Sequence, residues 1–131
     1  MARAILEGIA VEMRESLELV EKLCGAVASV TVSGGLTRAD LFNQIQSDLF
    51  ERTVIRLKND EATSLGAWIA GAVALGVENR HDAAFARIND PAAAQCYQPD
   101  PALQPIYQRQ RRQARALYQA LAAPAFRAHL T

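Results

Sequence analysis

The stretch SVTVSGGLTRADLFNQIQSD, residues 29–48, constrains the fold more than any other part of the chain. A β-branched run meets two adjacent glycines, and an amphipathic helical pattern follows at once. The run over residues 27–32 predicts a short strand. Its apolar residues lack clean alternation, which predicts a strand buried on both faces. Ser33, Gly34 and Gly35 form the turn. Thr37 is the expected N-cap of the next helix, with Asp40 three residues on in the capping-box position. Leu41, Phe42, Ile45 and Leu49 supply that helix with one apolar face.

The flanking segments continue an alternation of helices and strands. Residues 3–24 carry Ile5, Ile9, Met13, Leu17, Val20 and Cys24 at spacings of three and four, the signature of a long amphipathic helix. Gly25 ends it. Residues 53–57 predict a second strand, and residues 62–75 a helix rich in small residues: Gly66, Ala67, Ala70, Gly71 and Ala74. A packing demand must offset the helical cost of those glycines, about 1 kcal/mol each against alanine. A short helix is expected over residues 81–88. Residues 89–105, with Pro91, Pro99, Pro101 and Pro105, read as loop, and a last helix carries Tyr107, Ala114, Leu117, Tyr118 and Leu121. The order defines an α/β layer structure. Two strands leave unpaired edges and cannot cover three helices, so the chain reads as part of a larger sheet.

Composition narrows the function classes. The 131 residues suit one domain, and half of them are hydrophobic. Fourteen basic and fourteen acidic residues cancel, so nothing in the net charge suggests a nucleic-acid or membrane partner. Cys24 and Cys96 form no metal or disulfide framework and read as reduced thiols of a cytoplasmic protein. The N-terminus carries charges too early for a signal peptide. The longest uncharged run, residues 62–77, is short for a membrane span and predicts a buried helix.

The glycine turn has two readings. Glycines permit positive φ and let a ligand approach the backbone, and the following helix points its N-terminal amides and positive dipole end into the same space. The turn also lies beyond the carboxyl end of a strand, where open α/β sheets bind ligands. Yet no Gly-Lys-Ser/Thr follows and the third glycine of the dinucleotide fingerprint is absent. Spacing alone therefore favours plain turn geometry over nucleotide binding.

Four stretches together resemble the C-terminal part of the FGGY family of carbohydrate kinases. RAILEGIAVEMRESLE, residues 3–18, resembles the family's long helix, R-A-x-x-E-G-x-A followed by an arginine. VTVSGGLTRADLFNQIQSD resembles its strand, glycine pair and helix ending in Q-x-x-[AS]-D, met by Gln44, Ser47 and Asp48. EATSLGAWIAGAVALG, residues 61–76, resembles E-x-[TA]-A-L-G-A-A-x-x-A-x-x-x-x-G, with Ser64, Trp68 and Gly71 in place of alanines. YQPDPALQPIYQRQRRQARALYQAL resembles the tail, an aromatic-x-P-[DE] stretch before a helix bearing tyrosines. Order and spacing agree over about residues 3–121.

The resemblance implies the C-terminal part of an actin-like, ribonuclease H-like ATPase domain. Residues 1–77 are the expected partial ATPase domain, and residues 78–131 a loop and helical tail of the same domain. It implies ATP or ADP with Mg²⁺ as cofactor and a small sugar or polyol as substrate. Gly34 and Gly35 are placed beside the ribose and α-phosphate, and residues 37–40 beside the adenine. The expected nucleotide-binding set is Gly34, Gly35, Leu36, Arg38 and Ala39. Glycerol kinases often carry asparagine where Ala39 stands, so base contacts fall to backbone or to Arg38. SGGLTRAD is a variant of the commoner GGGAKS.

The catalytic aspartate, first phosphate loop, substrate pocket and most Mg²⁺ ligands of family kinases lie upstream of this region. Met1 falls directly before a family helix. The expectation is a truncated or split kinase, or an isolated C-terminal segment, inactive alone. The alternatives are a stand-alone non-catalytic module that binds nucleotide or protein, and a degenerate gene product. Self-association, or pairing with a kinase N-terminal part, is expected from exposed apolar surface.

Other residues take blander readings. Gln44 and Asp48 read as solvated or capping residues in preference to anchors for a neighbouring loop. Thr63 is a candidate cap, Glu7 a solvated residue with Glu12 on the flank of the apolar stripe, and Cys24 a core thiol. Trp68 is expected to fill space against a neighbour rather than stack on a base. His81 and His129 have no partners at metal-ligand spacing. Arg109, Arg111, Arg112 and Arg115 read as a solvated face.

Overall fold

The computed structural model describes residues 1–59, 61–89 and 91–122. His129 lies outside them. The elements run α1 (Ala2–Cys24), β1 (Ser29–Val32), a 3₁₀ turn (Gly35–Arg38), α2 (Asp40–Phe50), β2 (Thr53–Arg56), α3 (Ala62–Ala74), α4 (His81–Ile88), β3 (Gln95–Tyr97), a second 3₁₀ turn (Pro101–Leu103) and α5 (Gln104–Ala122).

Three strands form the sheet, in the order β1-β2-β3. β1 and β2 are parallel, with Ser29 opposite Thr53 and Val32 opposite Arg56. A helical crossover is what a parallel pair requires, and α2 provides it. β3 pairs antiparallel with β2, Ile55 facing Cys96. It lies inside the proline-rich stretch expected to be loop. The prolines stand outside the three-residue strand, so none removes a ladder amide.

The core lies on one side of the sheet. Val32 and Val54 meet Phe42, Ile45, Leu49 and Phe50 of α2, which also touch Ala10 and Val11 of α1 and Tyr107 of α5. Helix α2 is enclosed on nearly every side. Its polar residues Asn43, Gln46, Ser47 and Asp48 are all buried. The opposite row, Thr31, Ile55 and Cys96, lines an apolar hollow of about 330 Å³ with Phe85 and Leu57. β1 is therefore covered on one face only: Val32 is buried, while Ser29 and Thr31 are exposed. The expectation of a doubly buried strand fails because, among the described residues, only α4 and the 94–96 segment reach that hollow.

Two helices present different faces from those expected. On α1 the buried residues are Ala10, Val11 and Arg14. Ile5, Ile9 and Met13 are exposed, and Cys24, at the helix end, is exposed rather than core. On α3 only Leu65 and Ala72 are buried, so the uncharged run is a largely exposed helix leaning on α4. Its glycines 66 and 71 have no neighbour within 4 Å of an added Cβ. Among the described residues, no helix is long and apolar enough to cross a membrane.

Candidate functional site

The glycine turn leaves β1 at its carboxyl end. Gly34 takes φ 103°, ψ 170°, a conformation that side chains rarely adopt; Gly35 does not need positive φ. Residues Gly35–Arg38 wind into a 3₁₀ turn before α2 begins at Asp40. Thr37 is buried inside this turn. Its Oγ1 donates to the Gly34 carbonyl at 2.7 Å, and its amide donates to the same oxygen at 3.0 Å. Thr37 is thus a brace for the turn and not the N-cap of α2. That position belongs to Ala39, with no side-chain cap. The extra 3₁₀ turn displaces the N-cap, and with it the helix start, by two residues.

Asn43 completes the brace. Fully buried on α2, it donates Nδ2 to the Thr37 carbonyl at 2.7 Å. Nothing in the sequence reading singled it out. The available signal was an amide adjoining the apolar face of Phe42, Ile45 and Leu49, where burial demands a partner.

The outer surface of the turn is open. A Cβ added at Gly34 or Gly35 would meet nothing within 4 Å. Behind the turn, Ile9, Met13, Val30, Val32, Leu36, Thr37, Phe42 and Gln46 line an apolar cleft of about 340 Å³. Leu36 stands half exposed there. Arg38 Nη2 reaches Glu61 Oε1 at 3.3 Å, linking the turn to the start of α3. Both side chains are more than half exposed, so the pair aligns the two elements weakly. Thr63 makes no cap; the Asn59 Oδ1 accepts the Glu61 amide at 3.1 Å instead. The α2 N-terminus carries its own carboxylate, Asp40, which accepts the Tyr97 hydroxyl at 2.7 Å. That negative charge offsets the helix dipole expected to face an anion. The wall presented by the turn is neutral and apolar, with one cation, Arg38, already facing Glu61.

Several residues read as solvated are structural instead. Asp48 is buried; its Oδ1 accepts Gln44 Nε2 and the Asp100 amide, each at 2.8 Å. Gln44 Nε2 also reaches the Gln98 carbonyl at 2.8 Å. Ser47 Oγ donates to Tyr97 O at 2.8 Å. The Q-x-x-S-D group therefore anchors the loop after β3, overturning the solvated or capping reading. Glu7 accepts Arg3 Nε at 2.8 Å and faces Gln110 of α5. Arg109 and Arg112 are exposed as expected, whereas Arg111 and Arg115 are bound to Glu15 and Glu18. Trp68 is partly exposed beside Leu65 and Ile88, against the expectation of a packed residue. Among the described residues, no cluster of three or more His, Cys, Asp or Glu could hold a metal ion.

A βαβ unit with its glycine turn at the carboxyl end of a parallel strand, and helices packed on the sheet, is the C-terminal part of an actin-like ATPase fold. The xylulose kinase from Rhodospirillum rubrum superposes with a TM-score of 0.71 at 29% identity, over 95% of this chain and 25% of that one. The gluconate kinase from Lactobacillus acidophilus superposes with a TM-score of 0.79 at 23% identity, with the same coverage. The sequence model of the FGGY family of carbohydrate kinases, C-terminal domain, matches residues 1–75, and the chain belongs to that family. It is 42% identical over 77 residues to the glycerol kinase of Methylorubrum extorquens, which covers 58% of this chain and 15% of that protein. It is 36% identical over 74 residues to the xylulose kinase of Bacillus subtilis, covering 56% and 15%. The match thus spans only 15% of the length of each of these curated relatives.

Proposed function

We propose that this chain forms the nucleotide-side wall of an ATP-dependent carbohydrate kinase that phosphorylates a hydroxyl of a small sugar or polyol. The open backbone at Gly34 and Gly35 carries the proposal: a surface braced from behind by Thr37 and Asn43 and empty in front. Gly34 and Gly35 lie along the ribose and α-phosphate. Leu36, Arg38 and Ala39 border the base, which meets backbone and aliphatic groups because Ala39 has no polar side chain.

This wall positions ATP and excludes water from one side. Mg²⁺ and phosphate-binding groups neutralise the transferring phosphoryl in this class of reaction. The base that takes the substrate proton, the first phosphate loop and the sugar pocket belong to other segments of such a kinase. By this reading the 131 residues bind nucleotide without transferring phosphate. Residues 1–77 and 78–131 act as one domain, supported by β3 in the sheet and by the bonds from Asp48 and Ser47 to the tail.

The test is calorimetric titration of Mg-ATP and ADP into the folded chain, with Gly35→Glu as control. A carboxylate at Gly35 fills the open face and repels phosphate, so binding should be lost in the variant with folding intact. A folded wild type that binds neither nucleotide, alone or with the remainder of a family kinase added, would refute the proposal.

A further inference from the structure

A second polar cavity lies away from the glycine turn. Arg14 of α1, Glu51 at the end of α2, and Gln108, Arg111, Arg112 and Arg115 of α5 enclose about 230 Å³. Four arginines and one carboxylate line it, and three further carboxylates, Glu15, Glu18 and Glu21, pair with three of those arginines from outside the lining. The cavity and the turn sit at opposite ends of α2, an 11-residue helix about 16 Å long. The family match ends at residue 75, so every α5 residue here lies beyond it.

The arginines are not fully spent. Glu15 and Glu18 bind Arg111 and Arg115 from the α1 side, in each case through Nε and Nη2. Among the described residues, the Nη1 donors of both guanidinium groups have no hydrogen-bond partner. Arg14 is committed at Nη1 to Glu21 and at Nη2 to Glu18, and its buried Nε has no hydrogen-bond partner among the described residues. Arg112 is exposed and makes no ion pair among the described residues. Glu51 is the C-cap of α2 and the one non-glycine residue at positive φ among the described residues, at 55°. Its carboxylate lines the cavity, held by a weak bond of 3.4 Å from Gln108 Nε2.

We propose that this cavity is a binding site for the dianionic phosphoryl group of a small ligand, with Arg112 and the Nη1 ends of Arg111 and Arg115 as donors. Planar guanidinium groups suit phosphate oxygens, and two of the three are fixed in place by carboxylates behind them. Glu51 competes with the ligand for the same field. This site is separate from the proposed nucleotide wall and does not depend on it.

The probe is inorganic pyrophosphate without Mg²⁺, titrated calorimetrically at a constant ionic strength of about 0.15 M to screen exposed charge. The expected result is one site, weakened about tenfold by Arg112→Gln and strengthened severalfold by Glu51→Gln. Arg109→Gln removes an arginine of the same helix that does not line the cavity, and should change nothing. Gly35→Glu should likewise leave this binding intact. The proposal is overturned if the folded wild type does not bind, if Arg109→Gln weakens binding as much as Arg112→Gln, or if Gly35→Glu abolishes it.

Discussion

The buried carboxylate of Asp48 accepts the backbone amide of Asp100 at 2.8 Å, across 52 residues of chain. The same oxygen accepts Gln44 Nε2, which also holds the Gln98 carbonyl. One α2 side chain thus ties the helix behind the glycine turn to the start of the tail. Asp48→Ala leaves the Asp100 amide without its acceptor, and should cost about 2 kcal/mol, as for other buried charged hydrogen bonds. Chemical denaturation would measure the loss. Amide exchange should quicken at Asp100 and Tyr97 before it does in α1. Uniform quickening over the whole chain would show that Asp48 supports the core generally, not the tail.

The parts of this architecture legible in the sequence are those fixed by local physics. Helix α1 ends where Gly25 takes φ 86°, and α4 falls on the expected residues His81–Ile88. β1 and β2 stand within a residue or two of their expected bounds. What was illegible depends on long-range partners. β3 is three residues long and has no periodicity of its own; its pairing with β2 defines it. Arg111 and Arg115 look solvated along their own helix, and only the packing of α5 near Glu15 and Glu18 gives them partners. Asp48 and Asn43 follow the same rule: a polar residue on an enclosed helix signals a partner but does not say where in sequence it lies. The glycine pair was legible as a turn, whereas the 3₁₀ winding that moves the α2 N-cap from Thr37 to Ala39 was not.

The two glycines should separate when substituted. Gly34 holds φ 103°, so Gly34→Ala should destabilise the chain by about 1 kcal/mol or more through backbone strain. Gly35 has ordinary φ and open space, so Gly35→Ala should leave stability within about 0.5 kcal/mol. Loss of nucleotide affinity in Gly35→Ala at unchanged melting temperature would mark a contact surface. Unchanged affinity in that variant would mean that the ligand does not approach closely enough to meet a methyl group.

Thr37→Val keeps the shape of the brace but removes the donor to the Gly34 carbonyl, 2.7 Å away. The amide of residue 37 still reaches that oxygen, so the expected loss is about 1 kcal/mol. Nucleotide affinity should fall with it, because the wall loses its fixed shape. Equal affinity in wild type and variant, measured calorimetrically, would show that backbone bonds alone shape the turn.

Exposed apolar residues make a further prediction. Leu23, Leu75 and Val77 stand largely in solvent, and the sheet face at Thr31, Ile55 and Cys96 is only partly covered. The chain should bind a hydrophobic dye and self-associate at high concentration. A dye-silent monomer by light scattering would contradict this.

Acid should weaken the joint between α1 and β2. The Glu21 carboxyl is held below its ordinary value first by the hydrogen bond from Arg14 at 2.9 Å, against desolvation, and further by the Val27 amide and the Arg52 charge. Burial pushes Glu18 upward, but the bond and charge of Arg111, with the charges of Arg115 and Arg14, outweigh it and lower it as well. Groups depressed in the folded state bind fewer protons folded than unfolded. Their contribution is therefore complete above the ordinary carboxylate value of 4.5 and is lost as pH falls through the lower folded values. The melting temperature should hold from neutral pH to about pH 5 and then decline. In Glu21→Gln it should start lower at neutral pH and decline less steeply in acid. Parallel declines in the two proteins would mean that other carboxylates govern acid unfolding.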